Sequence, residues 1–266
     1  HKASSLDKFS KLEPSDGADI ANDANPFVKS VIEGLPNAVT FGLGESCDYF
    51  ASDIDFDNEG MPRFTVNHGG KELCRIALSV PGEHNVLNAL SAFACGHILG
   101  VDVDSMVRTL ENFNGIQRRF DVLGKTANNI KIIDDYAHHP TEIKATLSAV
   151  KKMKHNHMWC LFQPHTYTRT MALLDDFATS FTDADKVVLA EIYAAREKNI
   201  YKISSKSLMN RIKEEDPAKD VYFFSDFEEI ANFVYNNAEP GDLVITMGAG
   251  DIYKVGEMIL EKDKRF

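Results

Sequence analysis

Cysteine is scarce: Cys47, Cys74, Cys95 and Cys160 are the four in 266 residues, and no two have CxxC spacing. That excludes a disulfide scaffold and a zinc ribbon. Cys95 sits in an apolar helical pattern and Cys160 in an apolar strand pattern, so the thiols are expected to be free and buried, as suits a reducing cytoplasm. No run of eighteen apolar residues occurs, so no transmembrane helix is expected. Residues His1 to Lys8 lack the apolar stretch of a signal peptide. Positive charge is in deficit, with 29 Lys and Arg against 40 Asp and Glu and a net charge of −11. Nucleic acid is therefore not expected as a partner, nor is a membrane. Nucleotides are not excluded, because helix N-termini and a few arginines can build a local positive site on an acidic protein. Neither a repeat nor a low-complexity segment is present, and G-x-x-x-x-G-K-[ST], the phosphate-cradling loop, is absent.

What is present is enough apolar material for two cores: 44% hydrophobic and 26% charged residues over a length that favours two domains. Lys8 to Leu12 reads as the end of a helical pattern and Glu13 to Gly17 as a turn, so further sequence upstream is expected. Asn37 to Val80 is β-rich, with strands at Ala38–Phe41, Tyr49–Asp55, Arg63–Asn67 and Leu73–Val80 and a hairpin turn at Gly69-Gly70. Helices follow at Glu83–Leu99 and Asp104–Phe113. After Phe120, strands at Ile130–Ile133, Met158–Phe162, Lys186–Ala190, Val221–Phe224 and Leu243–Thr246 alternate with helices at Pro140–Lys152, Thr170–Phe181, Ser204–Ile212, Phe227–Asn236 and Ile252–Glu261. This alternation predicts an α/β fold with a mainly parallel sheet covered on both faces. The boundary falls near Asn112 to Asp121, which divides 1–117 from 118–266.

Ligands of parallel sheets bind at the C-terminal strand ends. Four such ends here are polar: Asp134 to Pro140, Gln163 to Thr170, Glu191 to Lys198 and Met247 to Asp251. Each has a plainer reading as well. Asp134-Asp135 could cap the next helix, His138-His139 could hold a metal only with a third ligand that the spacing does not supply, and Gly248-Ala249-Gly250 suits any tight turn. Arg118-Arg119 alone reads as a solvated linker. Asn85 and Asn88, three apart on one helix face, could read a purine edge, or Asn85 could cap the helix.

Taken together, four motifs resemble the Mur ligase family. Pro81 to Ala89 resembles its adenine-binding helix start, and Gly115 to Phe120 the segment between its central and C-terminal domains. Asp134 to Ile143 and Phe162 to Thr170 are similar to the signatures of the member that adds L-alanine. The resemblance implies a Rossmann-like C-terminal domain preceded by the last part of the central ATPase domain. It implies an ATP- and Mg2+-dependent ligase that joins the lactyl carboxylate of UDP-N-acetylmuramate to L-alanine through an acyl phosphate, in peptidoglycan precursor synthesis. Asn85 and Asn88, with His84 beside them, resemble the adenine contacts. Arg119 resembles the arginine near the nucleotide and Asp135 its partner carboxylate. Tyr136, His138 and Arg169 resemble residues facing the reacting ends, with His165 as their neighbour. Arg119, Asp135, His138 and Arg169 are thus the catalytic candidates. The metal ligands belong mostly upstream of residue 1, as does the phosphate loop, so the chain alone is expected to be inactive. Thr166 stands where some relatives carry a basic residue, and Glu191 where an aspartate is usual. Three rivals remain: a ligase for murein tripeptide, a nicotinamide-dependent oxidoreductase and a non-catalytic nucleotide-binding module.

Overall fold

The computed structural model describes residues 17–23, 26–32, 35 and 37–264. The helical pattern at Lys8–Leu12 and all of the following turn except Gly17 lie outside them. The chain forms two compact units that divide between Asn114 and Gly115.

The first unit contains a five-stranded sheet in the order β1 (Asp19–Asn22), β2 (Ala38–Gly42), β3 (Tyr49–Phe56), β4 (Pro62–His68), β5 (Lys71–Ala77). The β1, β2 and β3 pairings are parallel, and β4 and β5 continue antiparallel. Gly69 and Gly70, at φ of 59° and 72°, make the two-residue hairpin that twisted strands favour. Between β1 and β2 lies α1 (Pro26–Ile32). The helix α2 (Glu83–Ile98) lays Val86, Leu90 and Phe93 against Phe41, Phe64, Val66 and Ile76 of the sheet, all buried. Each such side chain contributes about 1.5–3 kcal/mol. Asp102 caps α3 (Val103–Glu111) by accepting from the Ser105 N–H at 3.0 Å.

The second unit is built on a six-stranded sheet with the order β10-β9-β8-β11-β7-β6. Its strands are β6 (Asp121–Lys125), β7 (Lys131–Asp135), β8 (Met158–Phe162), β9 (Lys186–Leu189), β10 (Asp220–Phe223) and β11 (Leu243–Met247). All pairs are parallel except β6 with β7. One face carries α4 (Pro140–Lys151), α5 (Tyr167–Ala172), α6 (Leu174–Ala178) and α7 (Ser205–Glu215), whose Ile143, Leu147, Phe177, Leu208 and Ile212 form one core. The other carries α8 (Phe227–Asn237) and α9 (Tyr253–Asp263), with Ile230, Val234, Val255 and Ile259 in a second core.

The structure differs from expectation in one helix, in three further elements and in two of the thiols. The helix read at Thr170–Phe181 begins at Tyr167 and breaks at Leu173, whose φ of −119° leaves the helical region. β1, α1 and β6 were not anticipated. In β6, Gly124 at φ 155° and a register shift between Val122 and Gly124 erase the alternation that marks a strand. Among the thiols, Cys47 and Cys160 are buried, but Cys74 is half-buried and Cys95 is exposed on the outer side of α2.

Candidate active site

Parallel pairing brings the polar strand ends to a single edge of the second unit. Met247 stands opposite both Asp135 and Phe162, and Phe162 opposite Leu189. The segments after β7, β8, β9 and β11 therefore leave the sheet side by side.

Side-chain alternation along β7 separates the two aspartates. Asp134 shares the parity of Ile132 and points to the α8–α9 face; Asp135 shares that of Ile133 and points to the α4 face. Neither caps a helix. Asp134, fully buried, accepts from Arg118 Nε at 2.9 Å and from Thr246 Oγ1 at 2.7 Å. Arg118 also donates through Nη2 to the Gly248 carbonyl at 2.7 Å. Its guanidinium lies over the rings of Tyr253 and Tyr136, at 4.6 and 5.0 Å. The first arginine of the pair is thus a half-buried brace on a buried carboxylate, not a solvated linker. Arg119 is exposed, 5.4 Å from the Tyr136 ring.

Asp135, 7% exposed, accepts from the Phe120 N–H at 2.8 Å and from the Ala137 N–H at 2.7 Å. Burial pushes its carboxyl up to about 6, against the opposing pull of those two amides and of Arg119. A folded-state value above the unfolded one means the native chain binds more protons between about pH 4 and 6. Its contribution is therefore full below the lower value and is lost as pH rises through the upper one. In urea unfolding followed by Trp159, the stability advantage of the parent over Asp135→Asn should fall by about 2 kcal/mol from pH 4 to pH 7. An advantage that does not change with pH would contradict this placement of the carboxyl.

Beyond Asp135 the chain turns into α4. His139 caps that helix, accepting from the Thr141 N–H at 3.3 Å, and Glu142 reaches back to the His138 and His139 amides at 3.0 and 3.2 Å. The His138-His139 pair is thereby split, with one ring spent on the cap. His138 Nδ1 lies 3.0 Å from the Tyr136 carbonyl, which can only accept, so Nδ1 carries a proton. The rings of Tyr136, His138, His165 and Tyr193 follow one another at 5.5, 6.0 and 5.5 Å. Arg169 Nη1 meets His165 Nδ1 at 3.3 Å, and since arginine only donates, His165 is protonated on Nε2 and neutral. Burial first, then the charges of Arg169 and His138, lower the affinity of His165 for a second proton. The structure brings Asp135, Tyr136, His138, His165 and Arg169 together at this edge.

The sequence reading gave no site role to Arg118, Gln163, Tyr193 or Glu197, although each lies in a segment it named. Glu197 accepts from the Thr168 N–H at 2.9 Å, and Gln163 Oε1 accepts from Asp251 N–H at 2.9 Å. Their partners lie 29 and 88 residues away, so no local pattern marks them. Glu191 turns its Oε1 to the Ile192 and Ser205 amides at 2.9 and 3.3 Å.

In the first unit, Gly82 precedes α2 with φ of 97°, and no side chain caps the helix. Asn85 is not the cap: its Nδ2 donates to the Pro81 carbonyl at 2.8 Å, and its Oδ1 accepts from Asn88 Nδ2 at 3.0 Å. The two amides are coupled, with Asn88 exposed. His84 is half-buried, and burial lowers its proton affinity.

The family model for the Mur ligase, glutamate ligase domain matches residues 118–250, and that for the Mur ligase middle domain matches 5–96. The chain belongs to the Mur ligase family. This Mur ligase chain is 44% identical over 261 residues to the UDP-N-acetylmuramate–L-alanine ligase of Alkaliphilus metalliredigens, covering 98% of the chain and 56% of that relative. It thus spans about half the length of the curated relatives it matches. The crystal structure of UDP-N-acetylmuramate–alanine ligase from Thermotoga maritima superposes with a TM-score of 0.78 at 27% identity, over 99% of this chain and 54% of that one. A MurF ligase from Thermotoga maritima, crystallised in complex with ADP, shares the fold at a TM-score of 0.70 and 18% identity, over 93% of this chain and 54% of that one.

Proposed function

We propose that this Mur ligase chain supplies the amino-acid-adding part of an ATP-dependent ligase that joins L-alanine to the lactyl carboxylate of UDP-N-acetylmuramate in peptidoglycan precursor synthesis. The observation that supports the reading is the gathering of Tyr136, His138, His165 and Arg169 at one sheet edge, with Arg169 Nη1 turned to His165 Nδ1. In the first step the lactyl carboxylate oxygen attacks the γ-phosphorus of ATP, ADP leaves, and an acyl phosphate forms. In the second the alanine amine attacks the acyl carbon and phosphate departs. That amine arrives as an ammonium, so it must give up a proton before it attacks. His138 Nε2 is the group suited to take it, with the ring held by the Tyr136 carbonyl and Glu142. Arg169 offers the fork that binds the amino-acid carboxylate, and Tyr136 and His165 wall the pocket. Arg119, exposed and near enough to Asp135 and Glu142 for its charge to act on both carboxylates, suits a phosphate oxygen. Asp135 holds the start of that segment through the Phe120 amide. His84, Asn85 and Asn88 suit adenine, because an amide presents donor and acceptor together.

Among the described residues no three His, Cys, Asp or Glu side chains gather into a group that could hold a magnesium ion by themselves. No step is routed through it. Among those residues no helix is long and apolar enough to cross a membrane. A ligase consuming ATP and a nucleotide sugar belongs in the cytoplasm, where both occur.

The test joins this chain to the N-terminal part of the Alkaliphilus metalliredigens ligase that it does not cover. ADP release with UDP-N-acetylmuramate should depend on L-alanine and exceed that with murein tripeptide about a hundredfold. The chain alone, lacking a phosphate loop, should release none. Preference for the tripeptide would move the assignment to a recycling ligase.

A further inference from the structure

Tyr193 has no part in the reaction just described; it is 37% exposed, yet it is held at several points beside that site. Its ring stacks on His165 with centroids 5.5 Å apart and planes 18° from parallel. Its backbone is tied to the same segment: Tyr193 N–H donates to the Pro164 carbonyl at 2.8 Å, and Thr166 N–H donates to the Tyr193 carbonyl at 2.9 Å. Thr166 itself sits at φ 68°, a strained conformation for a β-branched residue that must be held by its surroundings. Behind Tyr193 lies Gly250. A Cβ there would stand 2.4 Å from Gln163 Oε1, 2.9 Å from Tyr193 Cγ and 3.0 Å from Tyr193 Cβ. Glycine is needed at 250 for room, which gives the Gly248-Ala249-Gly250 motif a purpose that a tight turn alone does not.

An imidazole turns freely about its last torsion, which has two broad wells, and an arginine has many rotamers. Here neither is free, because a flat ring covers one face of His165 while Nδ1 faces Arg169 Nη1 at 3.3 Å. We propose that Tyr193, seated on Gly250, is a positioning residue: it fixes the plane of His165, and through His165 the direction of the Arg169 guanidinium. The identity of the anion that Arg169 receives rests on the ligase reading; the positioning does not.

The experiment therefore has two arms. In the first, the His165 imidazole is titrated by NMR in this chain. The charged and titratable groups around it, Arg169, His138 and Glu197, are left untouched. Tyr193→Phe should titrate with the parent. Tyr193→Ala should raise the His165 midpoint by about half a pH unit or more, because the covering ring and the fixed guanidinium are both lost. Tyr193→Leu, which keeps apolar bulk without a flat face, should move it the same way and replaces the alanine variant if that one fails to fold. A midpoint unchanged in both the alanine and leucine variants overturns the proposal. In the second arm, the joined ligase carrying Tyr193→Ala should lose about tenfold or more in kcat/KM for L-alanine, with KM for ATP changed less than about twofold. If His165 moves while alanine turnover does not, the positioning stands and the role given to Arg169 in the ligase reading fails.

Discussion

Replacing Arg169 with alanine is expected to lower kcat/KM for L-alanine about a hundredfold or more while leaving the unfolding midpoint of the chain nearly unchanged. The arginines of the second unit differ in what they are bound to. Arg118 is paired with Asp134, and Arg211 with Asp175, Glu214 and Glu215. Arg169 donates to a neutral imidazole nitrogen and has no carboxylate within ion-pair distance among the described residues. A half-buried cation left unpaired on an acidic protein is a site kept for an anion. A charge-assisted, two-pronged bond to a carboxylate is worth about 3 kcal/mol when one partner is removed, which is the hundredfold. Arg169→Lys keeps the charge and loses the fork, so it should recover only part of the loss. Steady-state kinetics of the joined ligase decide the matter. A fall of less than about threefold, or an equal rise in KM for ATP, would take the amino-acid carboxylate away from this residue.

The ease with which the second unit is read from sequence has a physical source. β7, β8, β9 and β11 are short apolar runs buried on both sides, and each ends in a polar segment. Such strands cannot be mistaken for surface, and parallel pairing forces their polar ends to one edge. Asp135, Tyr136, His138, His165 and Arg169 could thus be expected near one another before any coordinates. Three features stayed hidden for equally physical reasons. β6 lies at the sheet edge, and its Gly124 and register shift disrupt the period of two. The break at Leu173 is marked by no proline or glycine, so the pattern does not announce it. The division of labour between Arg118 and Arg119 depends on Asp134, Thr246 and Gly248, which meet only because β11 inserts between β7 and β8. Local pattern gave Arg118 and Arg119 equal standing; the family resemblance singled out Arg119, and only the topology gave Arg118 its partners.

That separation makes Arg118 the residue whose loss should cost the fold most. Arg118→Ala would strip fully buried Asp134 of its cation, free the Gly248 carbonyl, and remove the guanidinium from between Tyr136 and Tyr253. Deleting one partner of a buried pair costs about 3–5 kcal/mol, because the other charge stays behind without compensation. The sign with pH is fixed by Asp134. Burial already raises its carboxyl, against the pull of Thr246 and Arg118, and removing Arg118 raises it further. The variant should therefore be least damaged at acid pH, where the stranded carboxyl can hold a proton, and most damaged at neutral pH. Trp159, the sole tryptophan and 1% exposed on β8, reports this unit's unfolding without interference from the other. Adding Asp134→Asn removes the stranded charge and should restore about 2 kcal/mol at pH 7. A double variant no more stable than Arg118→Ala would mean that the pair is not coupled. The brace would then lie in the Gly248 bond and the two tyrosine rings instead.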